Sequence, residues 1–282
     1  MNTNRERLLL TCFGLGSAIG DVTCLTAVPR DLHRLYPGQF DISVATAHPE
    51  LWQNNPHVHV MDIGPTVSSV PGYRMISCHY PTVDCSNRLP RHFIEGFHDY
   101  LGPALNLNLR CLEFKGDIHL SADERESYPV RDAGGEPVRY WLMISGGKQD
   151  YSSKWPVREY MQDVVWRFRD TFGPRVRVVQ IGCPGHYHPI LDGVINMVGR
   201  TNLRDVIQLV YHADGCVGPV TFLNHMAAAV PVKRSAFPIP PSPHPRNPEN
   251  IKAGPPLRPI RSSMTDCICS PCARRSRWER KL

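Results

Sequence analysis

The chain has 282 residues, of which 41% are hydrophobic and 21% charged, and its formal net charge is +6. This length and composition suit a soluble globular protein with one large or two ordinary domains. There is no run of about eighteen apolar residues, which excludes a transmembrane segment, and the first apolar run is too short for a secretory signal. We therefore predict a cytoplasmic protein.

The positive charge is concentrated at the C-terminal end. Positions 233 to 282 contain eleven Lys and Arg residues and three acidic residues, a balance of +8, whereas the remainder has 21 basic and 23 acidic residues, a balance of −2. The globular part is thus nearly neutral, and we expect no nucleic-acid partner. The basic tail predicts peripheral contact with anionic lipid or with another protein.

The ten cysteines do not suggest a disulfide framework, because seven of them are scattered singly through the globular part and scattered thiols of this kind are usually small buried residues. The other three form the C-x-C-x2-C cluster Cys267, Cys269 and Cys272. That cluster could bind a soft metal, but it lacks an obvious fourth ligand, so we assign no metal site to it.

The N-terminal half, residues 1–130, alternates strands with helices. The patterns predict strands at 7–13, 40–47, 58–62, 73–80 and 114–120, and helices at 22–35, 48–55 and 91–105. This order implies a parallel sheet. The polar run 121–135 is the expected linker.

A glycine-rich loop at 14–21 joins the first strand to its helix. Such a loop brings backbone N–H groups and a helix N-terminus to one point, which favours an anion. Its G-x-G-x3-G spacing misses the dinucleotide fingerprint by one residue, which argues against a nicotinamide-dependent oxidoreductase. Asp21 ends the loop, and one interpretation of it is a helix N-cap.

The second half, residues 136–230, has the same character. Strands are predicted at 140–145, 176–181, 194–198 and 214–220, and helices at 156–172, 203–212 and 221–229. The class is therefore α/β with Rossmann-like winding. The first of these strands stops at Gly146 and Gly147, as expected where the carboxyl edge of a sheet forms a binding crevice.

Several of these motifs, in their order and spacing, resemble the heptosyltransferases, the family 9 glycosyltransferases that use ADP-heptose in lipopolysaccharide biosynthesis. The motifs are Gly146-Gly147, Lys154-Trp155, the 198–203 segment, Asp214-Gly215 and Thr221-x3-His225, together with the stretch 31–46 in the first half. The resemblance implies two Rossmann-like domains facing a cleft, the glycosyltransferase B architecture. It also implies transfer of a heptose-like sugar from a nucleotide-diphosphate donor to a glycan or protein acceptor.

The resemblance implies roles for individual residues. Asp21 would be the general base that deprotonates the acceptor hydroxyl in a single, inverting displacement. The residues implied at the donor are Gly146, Gly147, Lys154, Thr221 and His225, and those implied at the acceptor are Gly20, Arg30 and His33. No metal or other cofactor is expected, because cationic groups and helix ends balance the phosphate charge.

Each of these functional roles has a purely structural alternative. Lys154 is alternatively an ordinary exposed lysine, and Arg30 and His33 are alternatively surface or helix-packing residues. The histidines His79, His92 and His98 share no spacing that would gather them on one metal.

Two departures from the family pattern leave the activity open. Where the family has an acidic residue, threonine and glycine, this chain has Val220-Thr221-Phe222, which favours a catalytically silent nucleotide-binding or partner-binding homologue as the alternative.

The second departure is the segment 231–282, which holds eleven of the 27 prolines and predicts a disordered tail after an incomplete second domain. The tail is either native or the product of a reading-frame change. A sheet that stops early leaves an unpaired edge, which predicts self-association.

Overall fold

The structure is a computed structural model that describes residues 5–16, 18–79, 91–148 and 156–230, together with the main chain of 236–238. Several sequence predictions lie outside the described residues. They are the phosphate-binding role of Lys154, the disorder and lipid contact of the tail, and the cluster of Cys267, Cys269 and Cys272.

Two parallel β-sheets form the scaffold. The first has the order β3-β2-β1-β4, with strands β1 (Glu6–Thr11), β2 (Phe40–Ala45), β3 (His59–Val60) and β4 (Arg74–Ser77). The second has the order β7-β6-β5-β8-β9, with strands β5 (Arg139–Ile144), β6 (Val176–Ile181), β7 (Ile195–Asn196), β8 (Gly215–Gly218) and β9 (Ala236–Pro238). The predicted α/β class with two Rossmann-like halves is confirmed.

Seven α-helices are found among the described residues. They are α1 (Ile19–Leu25), α2 (Ala27–Leu35), α3 (Phe93–Leu105), α4 (Ala122–Glu126), α5 (Arg158–Phe172), α6 (Leu203–His212) and α7 (Phe222–Ala229). Short 3₁₀ turns lie at Phe13–Leu15, Pro49–Trp52 and Gly173–Arg175. Within the described ranges, no helix has the length and apolar character needed to cross a bilayer.

Both sheets are wound in the same way. In each sheet the first strand is central, the second and third lie to one side, and the fourth lies to the other. The strand order therefore reverses between β1 and β4, and again between β5 and β8. Open α/β sheets bind ligands outside the carboxyl ends of the strands at such switch points. Helix α1 follows β1 and helix α7 follows β8, so each begins at one of the two switch points.

The two halves share one hydrophobic core. Its buried apolar side chains include Leu8 of β1, Val22 of α1, Met226 of α7 and Leu142 of β5, and each of these four is 0% exposed. Fully burying one such side chain stabilises a fold by about 1.5–3 kcal/mol. The contact between the halves is therefore continuous with the packing inside them.

The helix predicted over 22–35 is broken into α1 and α2. Thr26 lies between them with near-helical backbone angles (φ −58°, ψ −19°). Pro29 accounts for the break, because proline has no N–H for the carbonyl four residues earlier, that of Leu25, and its ring crowds that carbonyl. Helix α1 accordingly ends at Leu25.

No strand forms over the described residues 114–120, and that sequence prediction is wrong. The peptide groups of this segment bond to side chains instead: the Asp117 N–H donates to Thr26 Oγ1 (2.7 Å), and Asn55 Nδ2 donates to Asp117 O (3.0 Å). The Ile118 N–H donates to a main-chain carbonyl, Ala229 O, at 3.5 Å. A segment whose polar groups are satisfied in this way needs no strand partner.

Gly116 is the point of closest approach in this segment. A Cβ at Gly116 would lie 2.4 Å from Thr23 O and 2.9 Å from the Cβ of Ala229. Because Thr23 O belongs to the main chain, we expect Gly116→Ala to lower the free energy of unfolding by about 1–3 kcal/mol in urea denaturation. The control is Gly64→Ala, where nothing lies within 4 Å of the added Cβ. Equal stability of the two variants would contradict this packing.

The predicted linker contains helix α4. Ser121 begins it with a capping box, in which Ser121 Oγ accepts from the Glu124 N–H (3.2 Å) and Glu124 Oε2 accepts from the Ser121 N–H (2.7 Å). The S-x-x-E pattern of a capping box was present in the sequence. Glu124 also pairs with Arg204 of α6, whose Nη2 donates to His119 O at 2.6 Å. Arg204 therefore links the second half to the segment that follows the first.

A fifth strand, β9, extends the second sheet. It lies parallel to β8, with Cys216 opposite Ala236 and Val217 opposite Phe237. The expectation that the sheet stops after the 221–229 helix is wrong, and β8 does not present an unpaired edge. The proline-rich composition obscured a strand of three residues.

Candidate functional site

The two switch points meet where α1 packs against α7. Gly20, in the first turn of α1, faces the first turn of α7: a Cβ at Gly20 would lie 3.3 Å from Phe222 Cα and 3.1 Å from His225 Cδ2. The missing side chain allows this close approach. Helix N-termini carry partial positive charge and N–H groups without intrahelical partners, so the two first turns together attract anions. Gly20 therefore packs against α7, and the acceptor role that the resemblance implies for it stays a prediction.

Asp21 lies directly beside this contact. It is the third residue of α1, whose N-cap is Ala18, and its N–H donates to Ala18 O at 3.0 Å. The N-cap interpretation of Asp21 is therefore wrong. The side chain is partly exposed, so a bound acceptor could reach its carboxylate.

Thr221 is the N-cap of α7. Its Oγ1 accepts from the Leu223 N–H at 3.4 Å, and Asn224 Oδ1 accepts from the Thr221 N–H at 3.1 Å. This capping box holds the start of α7 at the switch point of the second sheet. Asp21 and Thr221 therefore lie at the beginnings of two helices that touch each other.

A cysteine and two histidines converge at the same contact. Cys24 of α1 is buried, and its Sγ lies 3.4 Å from Nδ1 of His225 in α7. His92, the N-cap of α3, has its ring centroid 5.5 Å from that of His225. One ligand atom from each of the three residues lies within 4.8 Å of the other two. Burial lowers the pKa of His92, which keeps its imidazole neutral at pH 7.

Sequence analysis missed this cluster. Cys24 and His225 are 201 positions apart, and His92 was considered only together with its neighbours in sequence. The one local signal is that Cys24 follows Asp21 by three residues, which places both on one side of a helix.

The two glycines after β5, Gly146 and Gly147, contact the loop that follows β6. The Gly147 N–H donates to Tyr187 O at 2.9 Å, and the Tyr187 N–H donates to Gly147 O at 3.1 Å. A Cβ at Gly146 would lie 1.9 Å from Tyr187 O. We expected the donor's phosphates to approach these glycines closely. In the structure the loop after β6 does so instead, and the Gly147 N–H is hydrogen-bonded to Tyr187 O.

Arg30 packs inside the first half and does not face the cleft. Its side chain is 1% exposed, and its guanidinium donates to the Asp31 carboxylate at 2.8 Å, to Glu113 O at 2.8 Å and to Lys115 O at 2.9 Å. The acceptor role predicted for Arg30 is therefore corrected to the helix-packing alternative. A buried guanidinium with these partners joins α2 to the 113–116 segment.

His33 makes its contacts away from α7. It lies in the last turn of α2, its Nε2 is 2.9 Å from His57 O, and its ring stacks on His57 with centroids 5.2 Å apart. These contacts join α2 to the segment before β3. Among the described residues, the structure brings Asp21, Thr221 and His225 together, and it leaves His33 apart from them.

No protein-family model matches the sequence, and no curated protein matches it. Solved structures do match. The iron-containing dodecameric glycosyltransferase TibC from enterotoxigenic E. coli is 16% identical with a TM-score of 0.56, over 82% of this chain and 58% of TibC. E. coli heptosyltransferase WaaC with ADP is 12% identical with a TM-score of 0.54, over 83% of this chain and 91% of WaaC. A family 9 glycosyl transferase from Veillonella parvula is 13% identical with a TM-score of 0.55, over 84% of this chain and 81% of that one.

The TM-scores of 0.54–0.56 show a common fold, and identities of 12–16% leave donor and acceptor undetermined. The chain spans somewhat more than half the length of TibC. The fold implied by the sequence resemblance is confirmed, since two parallel sheets with the same winding meet at their switch points. This chain has the glycosyltransferase B type of fold seen in the heptosyltransferase structures.

Proposed function

We propose that this chain is an inverting glycosyltransferase that uses a nucleotide-diphosphate sugar. The observation that carries the proposal is the position of Asp21, which lies in the first turn of α1 where that turn packs on the first turn of α7. Glycosyl transfer requires a base for the acceptor hydroxyl and a positive environment for the departing diphosphate. The meeting of the two helices supplies both groups at one place.

Helix α7 stabilises the leaving group in this scheme. Negative charge accumulates on the diphosphate as the glycosidic bond breaks, and the N-terminus of a helix binds phosphate through its N–H groups and dipole. Thr221 holds the helix start in place, and His225, one turn further on, donates a ring N–H to a phosphate oxygen. Lys154 adds a positive charge to the same phosphates, as the family resemblance implies.

Asp21 acts on the acceptor side. Its carboxylate takes the proton of the acceptor hydroxyl as that oxygen attacks the anomeric carbon from the face opposite the diphosphate. The new C–O bond forms while the bond to the diphosphate breaks, so the configuration inverts. The scheme needs no cofactor beyond the nucleotide sugar.

ADP-heptose is the donor we propose, with a glycan or protein as acceptor. WaaC has been solved with ADP, and TibC with ADP-D-β-D-heptose, which supports an adenine nucleotide as the carrier. Phe222 favours the silent homologue as a second candidate. It replaces the glycine of the family pattern, and its side chain packs against the core next to Gly20.

Donor binding and turnover test the proposal together. We expect ADP-heptose to bind in calorimetry and ADP to be released when a glycan or protein acceptor is added, whereas other nucleotide sugars in a panel serve as controls. Binding of ADP-heptose without release in the presence of any acceptor would support the silent homologue. Absence of binding to every nucleotide sugar would contradict both candidates.

We also propose that the chain self-associates, and the support for this is the assembly of the similar structure TibC. TibC is dodecameric, whereas the unpaired edge from which we predicted self-association is covered by β9. Light scattering coupled to size exclusion measures the state directly. A monomer at all concentrations would contradict this part of the proposal.

A further inference from the structure

We propose that Cys24, His92 and His225 form a Zn²⁺ site at the junction of α1, α3 and α7. The site is inferred from the positions of these three side chains and does not depend on glycosyltransferase activity. It brings together ligands from both halves of the chain, since α1 and α3 belong to the first half and α7 to the second.

The ligand set and its spacing fit zinc. One thiolate and two imidazoles are ligands that Zn²⁺ accepts in tetrahedral sites, with Zn–S of about 2.3 Å and Zn–N of about 2.0–2.1 Å. Tetrahedral angles at those bond lengths separate sulfur from nitrogen by about 3.5 Å. The observed distance from Cys24 Sγ to His225 Nδ1 is 3.4 Å. All three ligand atoms lie within 4.8 Å of one another, so the third ligand, His92, is also near the spacing of a zinc site.

The surroundings also fit a metal site. Cys24 is 1% exposed, and both histidines are partly buried. Cys24 and His225 lie in packed helices and His92 caps a third, so the three are already held close together and little conformational freedom is lost on binding. A metal that binds only the folded chain stabilises it by mass action.

His92 must change one hydrogen bond to act as a ligand. In the structure its Nδ1 accepts from the Ile94 N–H at 3.2 Å. If Nε2 binds zinc, the ring proton moves to Nδ1, and this cap bond is lost. A single cap hydrogen bond is weaker than a bond to zinc, so binding is still favoured. Zinc should therefore speed hydrogen exchange at the Ile94 amide. The Cys24 thiol releases its proton to solvent when the thiolate binds.

The site adjoins the proposed catalytic base. Cys24 lies one helical turn after Asp21 on the same side of α1, and three protein ligands leave a fourth position for water. His225 binds zinc through Nδ1 and keeps the proton on Nε2, so the same ring still donates to a phosphate. Zinc would thus fix the α1–α7 contact on which the cleft depends.

The test uses the full chain with Cys267, Cys269 and Cys272 replaced by serine, so that thiols of the tail cannot bind metal. Zn²⁺ affinity is measured against a chromophoric chelator, and Co²⁺ replaces Zn²⁺ for absorption spectroscopy. We expect one zinc per chain, and a cobalt spectrum with a thiolate charge-transfer band and the strong visible bands of tetrahedral coordination. Cys24→Ser and His225→Gln should each weaken binding by at least about 100-fold. The exposed Cys183 provides the matched control, and Cys183→Ser should bind zinc like its parent.

The cobalt spectrum of the parent does not depend on any site variant, so it tests the site even if Cys24→Ser fails to fold. A parent that binds no zinc, a spectrum without a thiolate band, or full zinc affinity in Cys24→Ser would overturn the proposal. Faster exchange of the Ile94 amide on adding zinc would support it, and unchanged exchange would remove His92 from the ligand set. Failure of donor binding bears only on the proposed function, because zinc binding is measured without nucleotide.

Discussion

Replacing Asp31 with alanine will lower the free energy of unfolding by about 3–5 kcal/mol, because it leaves a buried positive charge without its partner. Asp31 is 0% exposed. Its carboxylate accepts from Arg30 Nε at 2.8 Å, from His98 Nε2 at 2.9 Å and from the Leu112 N–H at 3.1 Å. Three separate parts of the first half thus converge on one carboxylate. Urea denaturation followed by circular dichroism measures the loss.

The control for this variant is Asp163→Ala. Asp163 also pairs with an arginine, Arg167 at 2.6 Å, but the two side chains are 48% and 68% exposed. An exposed pair of this kind contributes about 0.3–0.5 kcal/mol. Replacing Asp31 and Arg30 together by leucine and methionine should cost less than Asp31→Ala alone, since the buried charge of Arg30 is then removed together with its partner. A loss in Asp31→Ala no larger than in the control would contradict the role of the network.

The same carboxylate makes stability depend on pH in the acid range. Burial by itself raises the pKa of Asp31, but hydrogen bonds from His98 and Arg30 outweigh burial and hold the pKa below its ordinary value of 3.8. The stabilisation is therefore complete above pH 3.8 and is lost as the pH falls through the lower pKa of the folded state. We expect Asp31→Asn to show a flatter decline in stability below pH 3.8 than the parent. If the stability of Asp31→Asn and of the parent fell equally with decreasing pH, other carboxylates would determine the loss of stability in acid.

Replacing Asp21 with asparagine will lower the rate of sugar transfer by about 10²–10⁴-fold, the range that a positioned general base contributes. The donor's dissociation constant should stay unchanged, because Asp21 acts on the acceptor and the leaving group is held by α7. The side chain is only partly buried, so the fold is retained. The measurement is ADP release under saturating donor and acceptor, with calorimetry on the same sample.

The matched control is Glu159→Gln, which removes a carboxylate from the first turn of α5. It costs the same helix-dipole stabilisation, about 0.3–1 kcal/mol, but should leave transfer unaffected. Transfer by Asp21→Asn within tenfold of the parent would show that another group takes the proton. Loss of donor binding in Asp21→Asn would instead indicate that the α1–α7 contact has been disturbed.

The elements with strong local signals were predicted from the sequence to the residue. Strand β6 occupies 176–181 and helix α6 occupies 203–212, as predicted. A β-branched run that stops at Gly182 and a cap at Asn202 are signals carried by the elements themselves. Local signals are also present at Pro29 in the first helix and in the capping box of α4, where the predicted boundaries were wrong.

The segment 114–120 and strand β9 show where local pattern is insufficient. The first looked like a strand, but its peptide groups are bonded by the side chains of Thr26, Asn55 and Arg30. The second is a strand only because β8 lies beside it. Whether an extended segment enters a sheet depends on the partners available in space.

Local features of the sequence specify the alternation of strands and helices, the glycine turns and the caps, and through them the α/β class and its two-part winding. These depend on the spacing of apolar residues and on backbone preferences within a few positions. The tertiary structure alone decided which side chains meet. It buried Arg30, engaged the Gly147 amide within the chain, and placed Cys24 against His225 across 201 positions. Hydrogen bonds and close contacts require atoms within a few ångströms of one another, and only the packing of distant segments brings such atoms together.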